Sequence, residues 1–184
     1  AGNGFLRAAI NAAEQSAITG GPNGLLAYSP HAASGSVFNT LVSRQASSVK
    51  AERIPADRLD LLAGHGLLYV PGPGIGDSAR LRLRAGPAAW SVTGVTHTLC
   101  SHTAMDAITD ILTAPVMPWD ALICTSRVAK QAVSALFELQ AHYFAWRFGV
   151  KNFTVPQLPI IPLGVHAQDF AFNAEDKQSA RSSL

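Results

Sequence analysis

The chain has 184 residues, of which 48% are hydrophobic and 14% are charged, and its formal net charge is +2. This length accommodates one domain with a substantial core but not comfortably two. The small net charge argues against a nucleic-acid partner, and no apolar run reaches the roughly 18–20 residues that span a bilayer.

Cysteine usage favours a reducing compartment. Cys100 and Cys124 are the two cysteines, and they do not form a CxxC pair. This is no disulfide framework, and Cys124 lies within an apolar run, where a thiol behaves as a small hydrophobe. The N-terminus lacks the basic and apolar regions of a signal peptide. We therefore expect a cytoplasmic protein.

The chain opens with Ala1-Gly2-Asn3-Gly4, followed by apolar residues at helical spacing from Phe5 to Ala13. Glycines directly before a helix usually follow a strand, and the sequence has none there. We expect either that the first strand is missing or that the domain starts with a helix. Gly2 and Gly4 would let the backbone approach a phosphate or a sugar, although a loop or a cap explains them equally well.

Predicted strands and helices alternate along the rest of the chain. Ser34 or Ser36 is predicted to cap the helix after the first readable strand. Arg80, Arg82 and Arg84 alternate, which indicates one solvated face of an extended segment rather than a phosphate site. The predicted strands are Leu25–Tyr28, Val49–Ile54, Leu67–Val70, Trp90–Thr96, Ala121–Thr125 and Gln157–Pro162, with helical turns at Asp57–Leu62 and a helix at Thr103–Leu112.

A long helix is predicted from Arg127, capped by Ser126 and closed by Gly149. The polar tail that follows the last strand is predicted to begin another helix. The apolar face expected to be buried in the long helix comprises Val128, Ala132, Ala135, Leu136, Leu139, Tyr143 and Trp146.

This alternation predicts an α/β fold: a three-layer, doubly wound, mostly parallel sheet of the Rossmann-like type. We expect one domain over residues 1–172 and a polar tail over 173–184. Because ligands of such sheets bind beyond the carboxyl ends of the strands, candidate residues are those that follow predicted strands.

His97 is the main candidate, because it directly follows a strand and has hydroxyls at Thr96 and Thr98 beside it. An imidazole there either hydrogen-bonds a sugar hydroxyl and transfers a proton, or only hydrogen-bonds the adjoining turn. His31, Ser126 and Arg127 follow other strands and are candidates for polar contacts, with loop and capping roles as the alternatives.

Other chemistries lack their motifs. The sequence has no P-loop, no GxSxG elbow, and no HExxH or paired Cys/His spacing for a metal. We therefore expect no metal and no cofactor. Asp106 and Asp110 share one helix face, which is typical of a solvated surface.

The order of these segments resembles the N-terminal half of a retaining glycosyltransferase of the group 1 superfamily, which has the GT-B fold. Ala121-Leu-Ile-Cys-Thr-Ser-Arg127 before a long helix, and Ile161-Pro-Leu-Gly-Val-His-Ala-Gln-Asp-Phe170, are similar to the family's late strand and exit turn. Residues 91–97 resemble the strand that ends in a histidine near the sugar donor, and residues 1–4 resemble its glycine loop.

The resemblance implies a domain that binds the acceptor, a small molecule or a glycan, while a C-terminal domain holds the nucleotide-sugar. It implies that His97 is the catalytic residue and that Gly2, Asn3, Gly4, His31, Thr96, Thr98, Ser126 and Arg127 bind substrate. A lipid acceptor would bring peripheral membrane association. The chain alone is expected not to turn over. The alternative is a stand-alone Rossmann- or flavodoxin-like module that binds a nucleotide or a partner without catalysis.

Overall fold

The computed structural model describes residues 2–21, 23–46, 48–165 and 167–183, with the side chains of residues 2, 3, 168 and 169 excepted. The elements in chain order are α1 Gly2–Ile18, β1 Gly24–Tyr28, α2 Ala32–Gln45, β2 Lys50–Ile54, α3 Leu59–His65, β3 Leu67–Tyr69, α4 Ile75–Arg82, β4 Ser91–Thr96, α5 His102–Asp110, β5 Ala121–Cys124, α6 Arg127–Phe148, a 3-10 helix Ala167–Phe170 and α7 Ala174–Ser182.

The strands form two parallel sheets, so the predicted α/β class is confirmed. β1 pairs with β2 from Gly24↔Lys50 to Tyr28↔Ile54. β4 lies between β3 and β5 in the second sheet, which has three strands. The sequence predicts a single sheet, whereas the described strands divide into these two.

The predicted last strand is present only as an irregular edge of the three-stranded sheet. It makes two parallel bridges to β5, at Ala121↔Gln157 and Cys124↔Ile160. Leu122 donates its backbone N–H to Gln157 at 2.8 Å, and Ile161 donates to Cys124 at 2.9 Å. Pro159 lies between Gln157 and Ile161 on this edge and has no N–H to donate to β5, so the ladder is interrupted there.

The apolar core is also divided. The larger cluster lies around the three-stranded sheet and includes Trp90, Val92, Ile108 and Leu122. A smaller cluster lies between α1, α2 and the two-stranded sheet, with Ile10 and Val42 fully buried in it. Each sheet therefore has its own main set of buried contacts, with Tyr28 of β1 also packed against the larger cluster.

A buried ion pair joins the elements at the amino end of the three-stranded sheet. The Arg82 guanidinium donates to both carboxylate oxygens of Asp120, at 2.6 and 2.7 Å, and neither side chain is exposed to solvent. Asp120 also accepts the backbone N–H groups of Val92 and Met117, each at 2.8 Å. Arg82 further donates to the Trp90 carbonyl at 2.8 Å and to the Pro115 carbonyl at 3.0 Å.

The prediction of an extended, solvated arginine segment is therefore wrong. Arg80 and Arg82 belong to α4, where two residues apart means different faces. Arg80 pairs with Asp110 at 2.6 Å near the surface, while Arg82 points into the core. Arg84 follows in an exposed turn. Sequence spacing did not indicate the partner of Arg82, because Asp120 lies 38 residues away along the chain.

The long helix α6 was correctly located but its buried face was not. Ser126 caps it by accepting the Ala129 N–H at 3.0 Å, and Gly149 ends it with a positive φ of 72°. The buried residues are Ala129, Val133 and Phe137, four apart on one stripe. The predicted face is largely exposed, with Val128, Leu139, Tyr143 and Trp146 at 71, 69, 46 and 80% exposure. Among the described residues, no helix combines the length and hydropathy needed to cross a bilayer.

The start of α2 also differs from the prediction. Ser34 and Ser36 lie inside the helix, and His31 occupies the N-cap position without a side-chain capping bond. Ser29 provides the local contact instead, because its hydroxyl accepts the His31 N–H at 3.2 Å. The predicted helix in the tail is confirmed as α7, which begins with an Asn173–Asp176 capping box.

We expect Asp120→Asn to lower the free energy of unfolding by about 3–5 kcal/mol, because it leaves the Arg82 charge buried without compensation. Asp110→Asn is the matched control, since it breaks an Arg–Asp pair whose side chains are 41 and 40% exposed. That control should lose no more than about 1 kcal/mol. Urea denaturation of both variants measures the difference, and equal losses would contradict the structural role given to Asp120.

We expect Phe137→Ala to cost about 3–5 kcal/mol, because it empties a site in the core. Leu139→Ala, two residues away on the exposed face, should change stability by no more than about 0.5 kcal/mol. Thermal and urea unfolding test both variants. A larger loss of stability for Leu139→Ala than for Phe137→Ala would contradict this assignment and support the buried face predicted from the sequence.

Candidate functional site

His97 directly follows the central strand of the three-stranded sheet, at its carboxyl end. β4 ends at Thr96, which is 2% exposed, and His97 is the first exposed residue beyond it. The imidazole Nε2 lies 3.0 Å from the backbone carbonyl of Pro71, in the loop that follows β3. The ring is thus held between two neighbouring strand ends while it remains open to solvent.

This contact determines which ring nitrogen is available. A carbonyl oxygen only accepts hydrogen bonds, so Nε2 carries the proton that it shares with Pro71. In the neutral ring, Nδ1 is then an acceptor. In this tautomer the ring is able to accept one hydrogen bond through Nδ1, and the contact with the Pro71 carbonyl holds its orientation.

Threonine hydroxyl groups join the ends of β4 and β5 by hydrogen bonds. The Thr125 hydroxyl donates to the Thr96 carbonyl at 3.0 Å, and the Thr125 N–H donates to the Thr96 hydroxyl at 3.2 Å. Thr96 in turn donates its hydroxyl proton to the Ile123 carbonyl at 3.2 Å. The Thr96 hydroxyl is therefore engaged by the protein and buried, and its role as a substrate contact stays a prediction.

The loop after β3 packs closely on β4 because position 94 is a glycine. A Cβ on Gly94 would lie 2.6 Å from the Gly72 carbonyl oxygen and 2.5 Å from Ile75 Cγ2. Gly72 accepts the Val95 N–H at 3.0 Å. The missing side chain at position 94 thus lets the loop approach the strand and brings the Pro71 carbonyl to His97.

Three helices begin at this edge of the sheet. α4 starts after Gly74, α5 is capped by Ser101, and α6 is capped by Ser126. Helix N-termini carry partial positive charge and favour anions. The Ser126 and Ser101 hydroxyls are engaged in their caps at 3.0 and 3.2 Å, so Ser126 has a structural role here.

The remaining candidates are more dispersed. Thr98 is exposed directly beyond His97. Arg127 is exposed at the start of α6 and lines a shallow cleft with Lys130, Glu138 and Ile160. His31 is exposed at the end of β1, in the other sheet.

The glycines at the N-terminus lie in a helix rather than in a loop. α1 begins at Gly2, so Gly2, Asn3 and Gly4 form its first turn. Gly4 is exposed, and a Cβ there would meet no atom within 4 Å, so its surroundings do not require a glycine. The side chain of Asn3 lies outside the described part of the chain.

The acidic residues near the site have partners on the protein. Asp110 is held by Arg80 and Thr113, and the hydrogen bond from Arg80 lowers the pKa of its carboxyl group. Asp106 lies 2.9 Å from His102 on the exposed face of α5.

Cys124 is buried at the end of β5, and burial raises the pKa of its thiol. Among the described residues, no group of three or more histidine, cysteine, aspartate or glutamate side chains is placed to hold a metal ion.

Sequence reasoning identified His97 but not the two features that position it. The Pro71 carbonyl is a backbone group, and its approach depends on Gly94, which sits within an otherwise ordinary strand pattern. A glycine inside a predicted strand often marks close approach of another backbone, and that signal was available in the sequence.

Comparisons of this chain with protein families, with curated proteins and with solved structures find no significant match.

We expect Gly94→Ala to destabilise the protein by about 1–3 kcal/mol, because the added methyl group would displace the Gly72 backbone. The imidazole resonances of His97 should shift as the contact with Pro71 loosens. Gly164→Ala is the control, since a Cβ at that position meets no atom within 4 Å. Denaturation and NMR of the ring nitrogens test this, and unchanged His97 signals in a destabilised Gly94→Ala protein would contradict the link.

Proposed function

We propose that this chain is the acceptor-side domain of a two-domain glycosyltransferase that transfers a sugar from a nucleotide-sugar. The observation that carries the proposal is His97, held on the Pro71 carbonyl at a parallel sheet's carboxyl edge and open to solvent. A fixed imidazole with a free acceptor nitrogen suits a sugar hydroxyl. In this proposal the two parallel sheets are parts of a three-layer, doubly wound Rossmann-like domain.

The apolar surface near the predicted exit turn supports a second domain. Leu163, Val165, Phe170 and Phe172 are 58, 77, 68 and 57% exposed. Neighbouring apolar side chains with this exposure are typical of a surface that another domain covers. The donor-binding domain would pack here and close the cleft over the edge that carries His97.

The proposed chemistry uses few protein groups. The domain binds and orients the acceptor, and His97 Nδ1 accepts a hydrogen bond from a hydroxyl group of the transferred sugar. The donor phosphate assists deprotonation of the acceptor, so no pair of carboxylates is required from this domain. The N-termini of α4 and α6 would add favourable potential for the phosphates. The site needs no metal in this scheme, and the protein is proposed to act in the cytoplasm on a small-molecule, glycan or lipid acceptor.

The second candidate is a binding module that holds a nucleotide without catalysis. The observation that favours it is that three helices begin at one sheet edge, where their N-termini favour phosphate groups. It differs from the first candidate in its ligand, because a nucleotide without a sugar would bind as well as a nucleotide-sugar.

The test is a titration of the intact protein, in which the proposed donor-binding domain is joined to this chain, with a panel of nucleotide-sugars, the matching free nucleotides and oligosaccharide acceptors, followed by amide NMR. We expect sugar-bearing ligands to shift the amides of Gly72, Thr98 and Ser126. His97→Ala should weaken this binding at least about tenfold, the equivalent of one lost hydrogen bond to the sugar. His142→Ala, an exposed histidine on α6, is the control and should bind as the unaltered chain does.

Equal affinity of both histidine variants would exclude His97 from the site. Equal binding of free nucleotide and nucleotide-sugar would favour the binding module. If no ligand of the panel perturbs this edge, the glycosyltransferase proposal fails.

A further inference from the structure

A groove of about 730 Å³ separates the two sheets. All of β1 and all of β3 line it, so the groove runs between the facing edges of the sheets. The other lining side chains are mostly apolar; they include Leu6 and Phe38 from the smaller core cluster, Leu62 from the larger one, and the exposed Phe5. A groove bounded by two sheet edges differs from a surface cleft, because its walls carry backbone polar groups.

Those backbone groups have no hydrogen-bond partner among the described residues. Asn23 and Ser29 bond to β2, through the Asn23 carbonyl and the Ser29 N–H. By the alternation of a strand, the N–H and C=O groups of Gly24, Leu26 and Tyr28 point the other way, toward the groove. None of the described residues pairs with them in the hydrogen bonds of the structure.

The same reasoning applies to β3. Gly66 accepts from Ser91, and Val70 donates to Thr93, so these positions face β4. The backbone groups of Leu67 and Tyr69 therefore face the groove. Both walls present the donors and acceptors that one additional strand would satisfy.

The position of α1 gives the direction of that strand. The Phe5 ring stacks on Tyr69 with centroids 3.8 Å apart, so α1 begins beside the carboxyl end of β3. It runs for 17 residues and ends at Ile18, a short turn ahead of Gly24 at the start of β1. α1 thus returns from the carboxyl end of the groove to its amino end, which is the path of a crossover helix between parallel strands.

We propose that the groove is filled by one extended, predominantly apolar polypeptide strand, parallel to β1 and β3, whose carboxyl end is covalently continuous with the start of α1. This strand pairs with β1 on one side and with β3 on the other. It joins the two sheets in the order β2-β1-strand-β3-β4-β5. Its apolar character follows from the lining, because a strand at the centre of a parallel sheet is buried on both faces. Five residues, about 17 Å at 3.3 Å each, match the length of β1.

The experiment attaches the strand and measures what it pairs with. The extension Lys-Val-Ile-Val-Val-Ile is placed directly before Ala1 and compared with an extension in which the third and fifth residues are proline. The two extensions have the same length, but the proline version lacks the N–H groups that a central strand must donate. Thermal unfolding and amide hydrogen exchange are recorded for both proteins and for the unextended chain.

We expect the apolar extension to raise the unfolding midpoint by about 5 °C or more over the proline extension. Exchange at the Leu26 and Tyr69 amides should slow at least about tenfold, because both N–H groups become paired. Equal midpoints and equal exchange for the two extensions would overturn the proposal.

Two further outcomes would also overturn it. Slower hydrogen exchange at the Ala51 or Arg53 amides, on the outer edge of β2, would show that the added strand pairs there and not in the groove. Protection of Leu26 and Tyr69 by the free acetylated peptide, with none from the extension, would exclude the connection to α1. The readouts do not involve His97 or a sugar, so failure here leaves the proposed function to its own test.

Discussion

The three-stranded sheet depends on the ion pair between Arg82 and Asp120. One carboxylate accepts two guanidinium N–H groups and two backbone N–H groups, so its four hydrogen bonds come from three separate segments. A buried pair of this kind contributes little net stability over an apolar pair, because desolvation offsets the attraction. Its effect is geometric: α4, the start of β4 and the loop before β5 adopt a single mutual arrangement.

The opposite edge of the same sheet is built differently. There the strand ends are joined by part-buried threonine hydroxyls and by one exposed imidazole–carbonyl contact. The amino edge of the sheet therefore fixes the arrangement of its strands, whereas the carboxyl edge is more open and is accessible to a ligand. Binding residues are commonly placed on loops carried by such a rigid scaffold.

Local signals in the sequence predicted most elements of the fold. Apolar runs ending in proline, glycine or serine located the strands, and Ser126 and Gly149 delimited the longest described helix. Features that depend on contacts between residues distant in the sequence were harder to predict. The exposed stripe of Leu139, Tyr143 and Trp146 carries larger side chains than Ala129 and Val133, so side-chain size favoured the wrong face, whereas the small Ala129 suits close packing. Likewise, the burial of Arg82 depends on a partner distant in sequence, and the division of the sheet depends on which strands meet in space.

The irregular edge beside β5 has a consequence for solubility. Exposed strand edges invite pairing with other chains, and natural proteins often block them with proline or charge. Pro156 and Pro162 remove two donors from the outer side of this edge, and Lys50 and Glu52 place charges on β2 at the far side. Intermolecular strand pairing at these outer edges is thereby discouraged, which makes the facing edges of β1 and β3 the less protected place for association through the backbone.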